Sequence, residues 1–484
     1  MEYIPSDQFL PAGQALRQTV SRPPAKSPSA WDRFRKNRSS VVAAVLILLL
    51  LLFAVFGPML LPYDVSTRDG YYKNMLPKWQ PLAFLGWDGC AVRSCSQAAR
   101  DYYGGIGIES GKPAVTSVES QTLDPNTGTY HYTLQLDSYN QVGYQYLDIS
   151  PEELSRIQSY EAETGHVVLF PLPRYHATTF LAVSSSANLW YALADEGKFT
   201  SGASKYHDAQ GQPIYKADYL LDAEGNPVYA VANQTGYRVR VLYSAYYRYQ
   251  TGHDPVHPFG TNQHGQDIFV CLAYGARLSF LLAFGVSAIN FLIGIAYGAV
   301  EGFYGGKLDL FMERFSDILA AVPFIVVATL FQLHLSKQVG SVISLLFAFV
   351  FTGWIGIAAR VRREFYRFKH AEYVLSSRTL GASDPRLIFR HILPNALGTI
   401  ITGTILMIPG VIFSESMLSY LGIVNLEASK LTSIGTMLSG GRAYLGSFPH
   451  ILFFPAVFIA LLQISFNLFG NGLRDALNPT LNQA

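Results

Sequence analysis

An uncharged run from Val41 to Leu61 limits what this chain can become more than any other feature. About 20 such residues, rising ~1.5 Å each in a helix, reach across a ~30 Å hydrocarbon core. Five further runs are comparably apolar: Leu278 to Val300, Ile318 to Leu335, Val339 to Ala359, Leu397 to Leu418 and Ile451 to Leu468. Half of the residues are hydrophobic (50 %), and the expected fold class is an all-α membrane protein with six transmembrane helices. The first run is too long for a signal-peptide core and follows about 40 polar residues, so it reads as a retained anchor.

Lys and Arg in the flanks predict the orientation. The segment before the first run carries Arg17, Arg22, Lys26, Arg33, Arg35, Lys36 and Arg38, and the loop from Arg360 to Asn395 holds 8 basic residues against Glu364, Glu372 and Asp384. Both belong on the cytoplasmic side, and six crossings return the C-terminus there. The chain then divides into a cytoplasmic tail (1–40), a first span (41–62), a long external segment (63–256) and a five-span remainder (257–484) that contains the basic loop 360–396. From Tyr63 to Val270 there are 14 Lys and Arg against 21 Asp and Glu, an external bias that long loops obey only weakly.

The external segment is long enough for a core of its own. It holds 22 of the 30 tyrosines. Alternation at Tyr130, Tyr132, Leu134 and Leu136 predicts a strand with one buried face, and Ser150, Pro151 and Glu153 predict a capped helix running to Gly165. A short repeat, DAQGQPIYKA at Asp208 and DAEGNPVYAV at Asp222, predicts successive β-hairpins. The expectation is a β-rich α+β insert. Cys90 and Cys95, with four residues between them, are candidates for a local disulfide in an oxidising compartment, against a free pair or a metal site. Cys271, at the head of the second span, reads as an inert buried thiol.

The basic loop carries helix punctuation. An Arg-rich helix from about Ala358 ends at Gly381, which tolerates a left-handed C′ position. Asp384 is expected as the N-cap of a second, short helix with Pro385 in its first position. Leu387, Ile388, Phe389 and Ile392 form its apolar side among Arg386, Arg390 and His391, until Pro394 begins the next span. A short helix with apolar face and basic flanks fits a groove on a partner.

From Arg378 to Asn395 the loop resembles that of ABC importer permeases of the peptide and nickel type, RxLGASDxRxIxRHxLPN. The family's Glu-Ala-Ala frame falls on Leu375, Ser376 and Ser377, so its Glu is lost. Four more stretches resemble the same family: Trp31 to Tyr63; HPFGTNQHGQDIF from His257 to Phe269, with Asn262 and Gln266 for the usual Asp and Arg; ESMLSYLG from Glu415; and GNGLRDALNP from Gly470. The resemblance implies the type I ABC importer fold and the role of C-type membrane subunit of a peptide importer in the bacterial plasma membrane. Its implied partners are a homologous second permease, two cytoplasmic ATPase subunits, an extracytoplasmic peptide-binding protein and membrane lipid. Nucleic acid is not among them. The residues implied to seat in an ATPase groove are Gly381, Ala382, Ser383, Asp384, Pro385, Arg386, Leu387, Ile388, Phe389, Arg390, His391 and Pro394.

No G-x-x-x-x-G-K-[ST] stretch occurs in the chain, so no cofactor is expected here and ATP with Mg is assigned to the partners; the chain itself is not expected to be an enzyme. His253, His257 and His264 match no standard ligand spacing, and no metal is expected. Glu415, ionisable near the outer end of the fifth span, must face protein or water and is either a structural contact or part of the path. Two other readings remain: a nickel or small-solute permease of the same family, and a membrane-anchored receptor or adhesin.

Overall fold

The structure, a computed structural model, describes residues 30–125, 130–174, 186–188, 219–424, 426 and 431–477. Among the described residues, five helices are long and apolar enough to cross a membrane: Arg38–Met59, Ile268–Tyr304, Ser341–Phe368, Asp384–Tyr420 and His450–Leu477. The expected third span, Ile318 to Leu335, is instead a pair, Gly306–Ala320 and Phe324–Val339, bent by 72°. Pro323 sits at the break, with no N–H to donate and a ring that turns the residue before it away from helical geometry. Among the described residues the count is therefore five helices, or six if the bent pair is one span.

The tightest packing joins Ile268–Tyr304 to Ser341–Phe368. Gly294, Gly298 and Gly302, one helical turn apart, press on Ile357, Ala358, Val361, Arg362 and Phe365 of the facing helix. A Cβ at Gly298 would overlap the Ala358 carbonyl oxygen and stand 2.8 Å from the Val361 Cβ; one at Gly302 would stand 2.7 Å from the Phe365 Cβ. Lipid gives helices no hydrophobic reason to associate, so close backbone approach and dispersion hold such a pair. Arg38–Met59 lies against His450–Leu477 and Ile268–Tyr304 through Phe53, whose ring meets Phe269 and Phe458. Arg277 donates to the Ala54 and Val55 carbonyls and so covers the end of that first helix.

Among the described residues between Met59 and Ile268, the chain builds two small antiparallel sheets. In the first, β1 (Cys90–Ser96) and β2 (Val115–Leu123) flank β3 (Tyr130–Asp137). Tyr132, Leu134 and Leu136 of β3 are buried as their alternation predicts, while Tyr130, at the open end of the strand, is exposed. In the second, β4 (Tyr144–Ile149) pairs with one edge of β7 (Tyr237–Leu242), while β5 (Leu169–Phe170) and β6 (Ala230–Ala232) pair with the other. Ser150 accepts from the Glu153 N–H and caps the helix Pro151–Thr164, which ends on left-handed Gly165. The second repeat copy forms a turn in which Asp222 accepts from the Glu224 and Asn226 N–H groups; the first copy lies outside the described residues.

A local disulfide between Cys90 and Cys95 does not form. Both lie on β1, Cys90 opposite Asp137 and Cys95 opposite Tyr132. Five residue steps of extended chain separate them by ~16 Å, and the odd spacing points their side chains to opposite faces. The thiols stand apart.

The chain leaves and re-enters the helical body through a clamp. The Tyr63 hydroxyl donates to the Val256 carbonyl and accepts from its N–H. The Thr261 hydroxyl donates to the Tyr72 carbonyl and accepts from the Met75 N–H. His257 pairs with Asp267 (2.8 Å) and stacks on Tyr63, and His253 meets the same ring edge-on, which engages both histidines in the clamp. Five tyrosines pack here, in a cluster of Tyr72, Tyr139 and Tyr243 with Tyr246 and Tyr247.

Candidate functional site

The basic loop is a knuckle between two long helices. Ser341–Phe368 ends, and a short helix, Glu372–Thr379, follows. Leu380 is its C-cap and Gly381 takes φ +84, so the Ala382 N–H reaches the Ser377 carbonyl (3.1 Å) and the Gly381 N–H reaches Arg378 (3.0 Å). This is the Schellman closure that the glycine predicts. A Cβ at Gly381 would meet nothing, so the glycine is required by its backbone angle and not by close helix approach. A side chain there costs about 1–2 kcal/mol.

Ser383 is the N-cap of the next helix, and Asp384 occupies its first turn with Pro385, one position later than the sequence pattern suggests. Nor does the helix stop at Pro394. Asp384–Arg386 passes into a π-helical turn, Leu387–Ile392, and continues to Tyr420. The wide turn explains how proline is carried: its ring would collide with the carbonyl of Arg390, four residues back, and a local π register moves that carbonyl aside. Asn395 ties the turn down by donating to the His391 carbonyl (2.7 Å) and to the Tyr373 hydroxyl (3.3 Å).

The apolar residues of the knuckle divide into two sets. Leu387, Ile388 and Ile392 are buried in the chain's own core with Val374, Val361, Phe365 and Phe303. They form the base of the knuckle, not a face open to a partner. Left outside are Phe389 (66 % exposed) and Leu380 (88 %), with Ser383, Asp384, Pro385, Arg386 and Arg390 around them; Ala382 and His391 are half-buried, and Pro394 is exposed. Leu380 was not among the expected site residues. Its signal was an apolar side chain beside a C′ glycine, where a helix end turns outward.

Beneath the knuckle lies a charged network that the sequence reading also missed. Arg362 forks onto Asp309 (2.6 and 2.8 Å) and reaches Glu313 (2.7 Å) and Glu301 (3.5 Å), and the Tyr366 hydroxyl donates to Asp309. Lys369 donates to the Gly302 carbonyl. The network binds the ends of three helices into one body under the loop. Glu301, an acid inside a run of mostly apolar residues, was the available clue.

Glu415 is 1 % exposed. Its carboxylate accepts from Ser433 (2.8 Å), Ser279 (3.1 Å), Ser419 (3.1 Å) and, at 3.5 Å, Ser416. Ser433 also N-caps the helix Ile434–Gly441. The acid therefore joins two long helices and a capped short one.

The family model described as binding-protein-dependent transport system inner membrane component matches residues 279–483, and that for the N-terminal TM domain of oligopeptide transport permease C matches residues 28–77. The chain is 44 % identical over 227 residues to the oligopeptide transport system permease protein OppC of Bacillus subtilis, covering 47 % of this chain and 73 % of that protein. It is 40 % identical over 228 residues to the dipeptide transport system permease protein DppC of the same organism, covering 47 % and 70 %. Among solved structures, an inward-facing MetNI methionine ABC transporter chain aligns with TM-score 0.35 and 16 % identity, over 43 % of this chain and 96 % of that one. With the two family models, the two Bacillus subtilis permeases and the helices described above, the chain belongs to the oligopeptide and dipeptide transport permeases, as a C-type, multi-pass membrane subunit of the ABC importer family.

Proposed function

We propose that this chain imports peptides as half of a translocation path, beside a homologous permease, with two ATPase subunits on its cytoplasmic side and a peptide-binding protein outside. The observation that carries the coupling role is the knuckle: exposed Leu380 and Phe389 on a base locked by Leu387, Ile388 and Ile392. An apolar tip with basic flanks on a rigid footing can pass a push from a partner into Asp384–Tyr420 without absorbing it. Coupling requires the partner to hold the tip differently in its two states. The double substitution Leu380→Asp, Phe389→Asp is expected to release the ATPase subunits from the purified complex and to lower peptide uptake at least tenfold. The fold should survive, since exposed positions away from buried contacts change stability by about 0.5 kcal/mol or less. Wild-type uptake by that variant would remove the docking role.

In this reading the termini and the basic loop face the cytoplasm, and the two-sheet segment lies outside. A membrane-impermeant maleimide on intact cells tests this. Burial, with Asp88 and Asp137 nearby, pushes the Cys90 thiol up to about 11, while burial raises the more open Cys95 against the opposing charge of Arg100. The thiolate is the nucleophile, so the sign follows: Cys95 labels first at neutral pH, and Cys90 gains about tenfold per pH unit on the way to its own value. Labelling only after the cells are broken would invert the topology.

A further inference from the structure

Ser341–Phe368 begins with 19 uncharged residues, and its first charge is Arg360. About 30 Å of hydrocarbon, at ~1.5 Å per residue from Ser341, ends at that level. His450–Leu477 first acquires an Arg at Arg474, and both arginines line one cavity of about 270 Å³. Its other polar lining is Thr399 and Thr402, with Gly398 and Gly403 on the helix between. The Arg360 guanidinium meets Gly403 by its Nη1 end: that nitrogen occupies the place where a Cβ would stand, with Nε 2.9 Å from that place. The facing helix is hollowed at the position where the charge rests.

Among the described residues, Arg360 has no carboxylate partner, and Arg474 has only its exposed neighbour Asp475 at 4.0 Å. A half-buried arginine at the hydrocarbon boundary calls for an anion. The two arginines and the Thr399 hydroxyl, with no acid among the lining residues, match a phosphate, while the Thr402 hydroxyl is already engaged with the Gly398 carbonyl (2.8 Å). We propose that this cavity holds the phosphate of an anionic phospholipid from the leaflet on the basic-loop side. The depth selects the lipid as the source, because headgroup phosphates lie at the level where both arginines emerge, and basic pockets between helices are a recurring form of lipid headgroup site. The proposal rests on the chain spanning a membrane, and it stands whether or not peptides are the cargo.

The test uses the full chain purified with its partner subunits in mild detergent, with retained lipid counted by native mass spectrometry. Phosphatidylglycerol should be kept in preference to phosphatidylcholine. Arg360→Gln and Arg474→Gln should each weaken phosphatidylglycerol binding about fivefold. Arg363→Gln, one turn along and exposed, should leave it unchanged. Gly403→Ala keeps every charge but evicts the guanidinium, so it should weaken binding as Arg360→Gln does; it carries the test if the charge variant does not assemble. Equal retention of the two lipids, or unchanged retention by both Arg360→Gln and Gly403→Ala, overturns the site. Displacement by inorganic phosphate at the lipid's own concentration overturns the lipid source, and displacement by a tripeptide but not by its C-terminal amide reassigns the cavity to cargo.

Discussion

Gly298→Leu is expected to leave almost no folded permease in the membrane. The position has no room for even a methyl group, because a Cβ would overlap the Ala358 carbonyl oxygen and press on the Val361 Cβ. A side-chain clash can be relieved by a rotamer, but a clash with backbone requires the helices to separate. Separation would release the neighbouring contacts at Gly294 and Gly302 and pull Arg362 from the acids it holds on the Gly306–Ala320 helix. Overpacking typically costs about 1–3 kcal/mol where side chains can yield, and this site falls at or beyond the upper end. Gly298→Ala should be intermediate. Monodisperse yield in detergent and the midpoint of unfolding in sodium dodecyl sulfate read the effect, and a leucine variant with the wild-type midpoint would refute the close approach.

The second large effect is expected at Glu415. Replacing it with Ala removes the acceptor shared by Ser279, Ser419 and Ser433 and leaves their hydroxyls facing a void. Unsatisfied buried hydroxyls cost about 1–3 kcal/mol each where they cannot find other acceptors, so a loss of about 3 kcal/mol or more is expected. Glu415→Gln keeps one acceptor oxygen and the volume, and should lose less than half as much. Thermal unfolding of the purified complex orders the variants. If Ala and Gln prove equally mild, the acid is not the joint between these helices, and a place in the path becomes the better account.

Much of this arrangement was legible from residue patterns, because it rests on local rules. Apolar runs located the long helices, Gly381 announced its Schellman turn, and alternation gave a strand face buried at Tyr132, Leu134 and Leu136 though not at Tyr130. The failures came where distant chain decides. Pro394 looks like a boundary in sequence, yet a π turn carries it, since the helix is held on both sides by tertiary packing. Pro323 looks like one more residue of an apolar run and is the point where the run breaks. Leu387, Ile388 and Ile392 read as a face for a partner because periodicity reports that a face is apolar and not what covers it; here the chain's own Phe303 and Phe365 do. The Gly294, Gly298 and Gly302 stripe was present at spacing four, but its meaning depends on which helix lies opposite. Cys90 and Cys95 were near in number and far in space, for the plain reason that the chain between them is extended.

The clamp of Tyr63 on Val256 and of Thr261 on Tyr72 and Met75 brings the two ends of a long excursion within hydrogen-bond reach. Loop closure costs only about 0.6 kcal/mol more for each doubling of length, so the helical body is nearly indifferent to how much chain is suspended between those ends. The junction works as a graft point. What stands beyond it can be lengthened, shortened or exchanged over generations while the helices keep their register, provided the two tethers still meet.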